Sequence, residues 1–153
     1  MVATEFVHMT EELLEQLMAS ATPEAYLNRA RADGDLVARD LSGYLHELLN
    51  KKELTRADVI RASGLNTTFV YQIFEGSRGV SRGTALLLAF GLGCTVKETQ
   101  RLLTHAGFSQ LYSRNRRDAI ILFCLEHGYT RVQCDDELYR LGEVPLLDDK
   151  SEG

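Results

Sequence analysis

Apolar residues along this chain recur at helical spacing, and each run has its own start and stop. Behind Thr10, the segment EELLEQLMAS sets Leu13, Leu14, Leu17 and Met18 on one face. Thr22-Pro23-Glu24 starts a second helix, with Tyr26, Leu27 and Ala30 following and Ala32-Asp33-Gly34 ending it. A longer helix runs from Asp35 to about Asn50, striped by Leu41, Tyr44, Leu45, Leu48 and Leu49. Lys51 and Lys52 close it, favourably placed at its negative end. Further on, Ser81 caps RGTALLLAFGLG, which is apolar nearly all round and therefore predicts the most buried helix. Thr95-x-x-Glu98 is a capping box that opens VKETQRLLTHAG, with Val96, Leu102 and Leu103 inward and Gly107 as its stop.

Between these lies Leu54 to Arg78, LTRADVIRASGLNTTFVYQIFEGSR, with two short helical patterns around Ser63-Gly64-Leu65. Thr55 is an N-cap with Asp58 able to reach back to it; Val59 and Ala62 face inward; Gly64 lets the chain leave the helix abruptly. Asn66 caps the next helix, whose inward stripe is Val70, Ile73 and Phe74. Two helices joined by so short a turn must cross steeply, a helix-turn-helix. The outward face of the second is Thr67, Thr68, Phe69, Tyr71 and Gln72. It is uncharged yet rich in hydrogen-bonding groups, which suits the base edges of the major groove.

After this the chain repeats itself. A shift of 35 lays residues 82–111 over 117–146, matching Arg82 to Arg117, Leu87 to Leu122, Gly93 to Gly128 and Thr95 to Thr130. Leu103, Gly107 and Leu111 fall on Leu138, Gly142 and Leu146, and the capping box recurs as Thr130-x-x-Gln133. Each unit is then a helical hairpin with a glycine stop, a capped second helix and a final glycine. Chance similarity between two helical hairpins is the alternative.

Composition narrows the class. The chain has 153 residues, 44% apolar, with two prolines, which fits one compact all-α unit or a small domain with helical additions. No apolar run is long enough to span a membrane, and the acidic N-terminus lacks a signal pattern, so the expected location is the cytoplasm with no membrane partner. Met1 to Met9 has no periodic signal, and the segment from Asp148 is an acidic tail. Cys94, Cys124 and Cys134 are widely spaced and odd in number, as expected of reduced thiols, the first two filling the core.

The net charge of −5 counts against nucleic acid until its distribution is considered. Residues 1–50 hold three basic against nine acidic side chains, and residues 83–153 eight against ten. Residues 51–82 alone are net positive, with Lys51, Lys52, Arg56, Arg61, Arg78 and Arg82 against Glu53, Asp58 and Glu75. Phosphate attraction is local, screened beyond about 8–10 Å, so the acidic remainder weakens binding without forbidding it.

Little points to catalysis or metal. Gly91-x-Gly93 follows a helix and is a stop, not a phosphate loop. Cys124-x-x-His127 and His105 lack the second close pair a zinc site needs. Arg114, Arg116 and Arg117 invite a second phosphate site, against the plainer reading of a solvated helix entrance capped by Asn115. The expectation is a non-enzyme without cofactor or metal.

The residues Thr55, Arg56, Asp58, Val59, Gly64, Asn66, Val70, Ile73, Gly76 and Arg78 fall without gaps on a known pattern. The chain here resembles the phage-repressor (Cro-like, XRE) family of helix-turn-helix DNA-binding domains, over about Asp35 to Gly107. The resemblance implies an all-α fold with a five-helix repressor-like domain at 35–111; the N-terminal helices at 1–34 lie outside the common domain. An extra C-terminal helical hairpin at 112–147 and a tail at 148–153 complete the chain. It implies a sequence-specific transcriptional regulator that reads double-stranded DNA with the helix 66–74, and a homodimer on near-palindromic half-sites. Base contacts would come from Thr67, Thr68 and Gln72, with Phe69 and Tyr71 on the same face. Phosphate contacts would come from Arg56 and Arg78, with Asn66 near the backbone and Arg61, Arg82, Lys51 and Lys52 as weaker candidates. The hairpin 117–146 becomes a dimer or protein-partner surface. Three positions depart from the pattern: Ile60 replaces a small alanine at the helix approach, Ser63 an apolar residue, and Phe74 a common glutamate. The acidic balance, the aromatic Phe69 and Tyr71 and the acidic N-terminal helices leave a protein-interaction adaptor on a helix-turn-helix scaffold as the alternative.

Overall fold

A computed structural model describes residues 10–33 and 37–147. The expectations for Met1–Met9, for the boundary at Gly34 and Asp35 and for the tail from Asp148 lie outside those residues. Among the described residues the protein is all-helical, with nine α-helices and no strand: α1 (Thr10–Ala19), α2 (Pro23–Asp33), α3 (Val37–Lys52), α4 (Arg56–Ser63), α5 (Thr67–Glu75), α6 (Arg82–Gly91), α7 (Val96–His105), α8 (Arg116–Glu126) and α9 (Arg131–Arg140).

The caps fall where polar side chains can satisfy the free amides of a first turn. Thr55 with Asp58, Thr95 with Glu98 and Thr130 with Gln133 all form complete capping boxes. Asn66, Ser81 and Asn115 cap α5, α6 and α8 singly. Helix α6 is buried from Gly83 to Gly91, as its all-round apolar pattern requires, and it packs against α4, α7 and α9. One continuous core runs from Leu41 of α3 to Leu146 beyond α9. The segments before and after residue 111 therefore share their interior.

The 35-residue repeat extends to side-chain roles. The Gln100 amide holds the backbone of Leu111 by two bonds, and Asp135, 35 positions on, accepts from the Leu146 amide at 2.6 Å. Arg82 Nε donates to the Ser109 carbonyl, and its counterpart Arg117 Nε to the Val144 carbonyl. Each unit thus clamps its own closing segment with one arginine and one further polar side chain, Gln100 in the first and Asp135 in the second.

Several inward positions differ from those the spacing predicts. Ala62 is exposed and Ser63 is fully buried, because α4 turns the Val59–Ser63 edge towards α6. A Cβ on Gly91 would lie 3.0 Å from both the Val59 carbonyl oxygen and the Ser63 Cβ. The small residue permitting close approach is therefore Gly91 on α6, while Ile60 packs half-buried at the core margin. Leu14, Leu17 and Met18 of α1, expected to face inward, are exposed. All three cysteines are buried free thiols, Cys134 included. Burial pushes the Cys94 thiol up to about 12 and raises Cys124 and Cys134 too, the last two sharing a side-chain hydrogen bond.

Lys51 and Lys52 converge on the Glu98 carboxylate at 3.0 and 2.9 Å, joining the end of α3 to the start of α7. Burial alone would raise this carboxyl. The Thr95 amide and the two lysines outweigh it and hold Glu98 at about 2, below its ordinary 4.5.

Candidate nucleic-acid interface

The turn between α4 and α5 is made by three residues, each in a different way. Gly64 sits at φ +80°, a left-handed conformation that costs other residues strain, and its amide closes α4 on the Ile60 carbonyl. Leu65 is buried, and its amide donates to the Ser63 hydroxyl at 3.1 Å. That bond accounts for a serine where an apolar residue is usual: a buried turn amide needs an acceptor. The Asn66 carboxamide then accepts from the Phe69 amide at 3.1 Å and starts α5.

Helix α5 is fixed at both ends. At its far end the Phe74 carbonyl, left free by the helix ladder, accepts from the Ser42 hydroxyl at 2.6 Å and meets His46 Nε2 at 2.7 Å. The His46 ring also stands edge-on to Phe74, with centroids 5.3 Å apart. Neither Ser42 nor His46 belongs to the apolar stripe of α3, so spacing carries no signal for them. They hold α5 at a set height over α3.

The outward face divides. Thr67 and Thr68 are exposed in the first turn, and Tyr71 is 43% exposed one turn on. Phe69 is only 8% exposed and joins the core, which corrects its placement on the reading face. The buried arc of α5 is 69, 70, 73 and 74, wider than the three-residue stripe that spacing suggests. Gln72 is half-buried, and its Oε1 accepts from Arg78 Nη1 at 3.2 Å. A two-bond contact from Gln72 to a base requires that bond to be exchanged.

Two arginines flank this face, each held by an aromatic ring. The Arg56 guanidinium lies 5.2 Å from the Tyr71 ring centre and 5.6 Å from that of Phe74. The Arg78 guanidinium lies 4.7 Å from the centre of Phe69. Phe69 and Tyr71 thus act as platforms beneath cations, an attraction worth about 0.5–1 kcal/mol at exposed sites. This orients the guanidinium groups.

The remaining basic candidates separate from these two. Arg61 pairs with Asp58 at 2.6 Å on the surface, a contact readily exchanged with solvent or an anion. Arg82 serves the fold instead. Both of its terminal nitrogens meet the Asp118 carboxylate, at 3.0 and 3.3 Å, and it donates to the Ser109 and Gln110 carbonyls. It ties α6 to α8. Arg116 bonds Glu143 and the Leu141 carbonyl, and Arg117 the Val144 carbonyl, so two of that cluster hold the C-terminal segment in place.

Cys124 meets Cys134 in the core, and His127 stacks on Phe123 at 4.0 Å. No helix among the described residues is long and apolar enough to cross a membrane. Compared with protein-family models, curated proteins and solved structures, the chain matches none.

Proposed function

We propose that this protein is a sequence-specific, double-stranded DNA-binding transcriptional regulator, with α3 to α7 acting as a repressor-like helix-turn-helix domain. What carries the reading is the exposed α5 face, where Thr67, Thr68 and Tyr71 stand between two ring-supported arginines, Arg56 and Arg78. A helix of this size fits the major groove, where threonines meet acceptors or a thymine methyl and Gln72 can meet adenine. The first-turn amides and the positive end of α5 favour a nearby phosphate. Arg56 and Arg78 are the principal backbone contacts, Arg61 and Asn66 lesser ones. The protein works in the cytoplasm as a homodimer on paired half-sites, without catalysis or a cofactor.

The test is a titration against mixed-sequence duplex DNA at two salt concentrations. Binding at low salt that falls steeply as salt rises supports the reading. No binding at low salt overturns it and favours a second reading, an interaction adaptor. That second reading has its own observation: Phe123, Val132, Tyr139 and Val144 of the C-terminal unit are all exposed.

A further inference from the structure

The internal repeat supplies a comparison within one chain. In the first unit, α4 lies along α6, with Val59 and Ser63 close against Gly91. One turn back on α6 is Leu88, fully buried. In the second unit the position equivalent to Leu88 is Phe123, and it is 51% exposed. Its neighbours Ala119 and Leu122 are half-buried where their counterparts Thr84 and Leu87 are fully buried. Among the described residues nothing occupies on α8 the place that α4 occupies on α6. At the far end of this open face Glu126 replaces Gly91, so a helix covering it cannot lie as close as α4 does on α6.

The chain itself carries a helix with an uncovered stripe of matching length. Helix α1 has ten residues against eleven in α8, and its Leu14, Leu17 and Met18 are exposed, Met18 at 77%. Beside that stripe stand Glu11 and Glu15, while the entrance to α8 carries exposed Arg114, next to Arg116, which is already bonded to Glu143. A parallel arrangement brings acids to bases at one end and Leu14 and Met18 to Phe123 further along. No base lies in the last turn of α1 and Glu126 lies at the end of α8, so the opposite orientation places acid against acid.

We propose that α1 of a second copy of this chain docks on the open face of α8, in place of an α4 equivalent. The reciprocal contact follows by two-fold symmetry, giving a closed dimer with two identical helix contacts. Such a dimer does not depend on DNA binding.

Sedimentation velocity over a micromolar concentration series tests it on the full chain. A reversible dimer is expected, weakened about tenfold or more by Phe123→Glu and by Met18→Glu, that is by about 1.4 kcal/mol or more. Glu11→Arg should weaken it, and Arg114→Glu in the same chain should restore much of the loss, since Glu11 stands about two turns before Met18 much as Arg114 stands before Phe123. Circular dichroism melts check that each variant remains folded; all these positions are exposed. Mixing Met18→Cys with Phe123→Cys proteins should give a heterodimer with a bifunctional thiol crosslinker, the three native thiols being buried. A monomer at every concentration, a dimer indifferent to these substitutions, or crosslinking only when both cysteines share one chain overturns the proposal. The last outcome would mean that α1 folds back on its own α8.

Discussion

Arg78 and Arg82 are four positions apart and of the same chemistry, yet their surroundings are opposite. Arg82 places a guanidinium, 28% exposed, on the buried Asp118 carboxylate. Its removal leaves a buried charge without its partner, which costs on the order of 3 kcal/mol. Arg78 sits on Phe69 at the surface, where a cation–ring contact is small. Arg82→Ala is therefore expected to lower the urea midpoint substantially and Arg78→Ala hardly at all. On the proposed function the order reverses in DNA titrations: Arg78→Ala weakens binding to all sequences and reduces the salt slope by about one. Gln72→Ala should instead relax sequence choice. Sequence could not separate the two arginines, because both stand in the same basic stretch and only Asp118, 36 positions from Arg82, distinguishes them. Phe69 departs from its expected face for a related reason. Helical spacing locates the centre of a buried arc well and its edges poorly, and α5 is buried over four residues, 69, 70, 73 and 74.

At the scale of elements, helix starts and stops were legible because they are local. A capping side chain meets an amide three residues away, as at Thr55, Thr95 and Thr130. The facing of an element was less so. Ser63 and Ala62 are both small and adjacent, and the approach of α6 decides which one is buried. Gly91→Ala tests that approach. Alanine would gain roughly 1 kcal/mol in helix propensity, but its methyl would meet a backbone carbonyl and a side chain at 3.0 Å. Overpacking of that kind costs about 1–3 kcal/mol, so a net loss in thermal stability is expected. The α3–α7 junction gives a pH signature. The Glu98 carboxyl is held at about 2, below the ordinary 4.5 of an unfolded chain. Its contribution is thus complete above pH 4.5 and is lost as the pH falls towards 2. Urea midpoints measured down that range should fall less steeply in Glu98→Gln than in the natural chain.

For the molecule as a whole, the shared core makes the C-terminal unit part of the fold and not an appendage. Leu147 and Arg131 border the Gly64 turn, close to the start of α5. Unfolding should therefore be a single transition, with far-ultraviolet dichroism and tyrosine fluorescence giving the same midpoint. Two separated transitions would show that residues before and after 111 fold apart. A substitution that loosens the C-terminal unit, such as Leu138→Ala in its fully buried core, should then destabilise the α4–α5 turn as well.

The repeat, the caps, the burial of α6 and the placement of positive charge over residues 51–82 were all determined by the sequence alone. Each depends on neighbours along the chain or on composition, and none needs a fold to be visible. Tertiary structure alone decided which arginines remain on the surface, which side of α4 turns inward, and that Phe69 serves beneath Arg78. It also decided that α8 lacks the cover α6 receives, since equal spacing in two repeats says nothing of which neighbour reaches each. These outcomes rest on contacts between residues distant in sequence, where a side chain's partner depends on which helix is brought beside it.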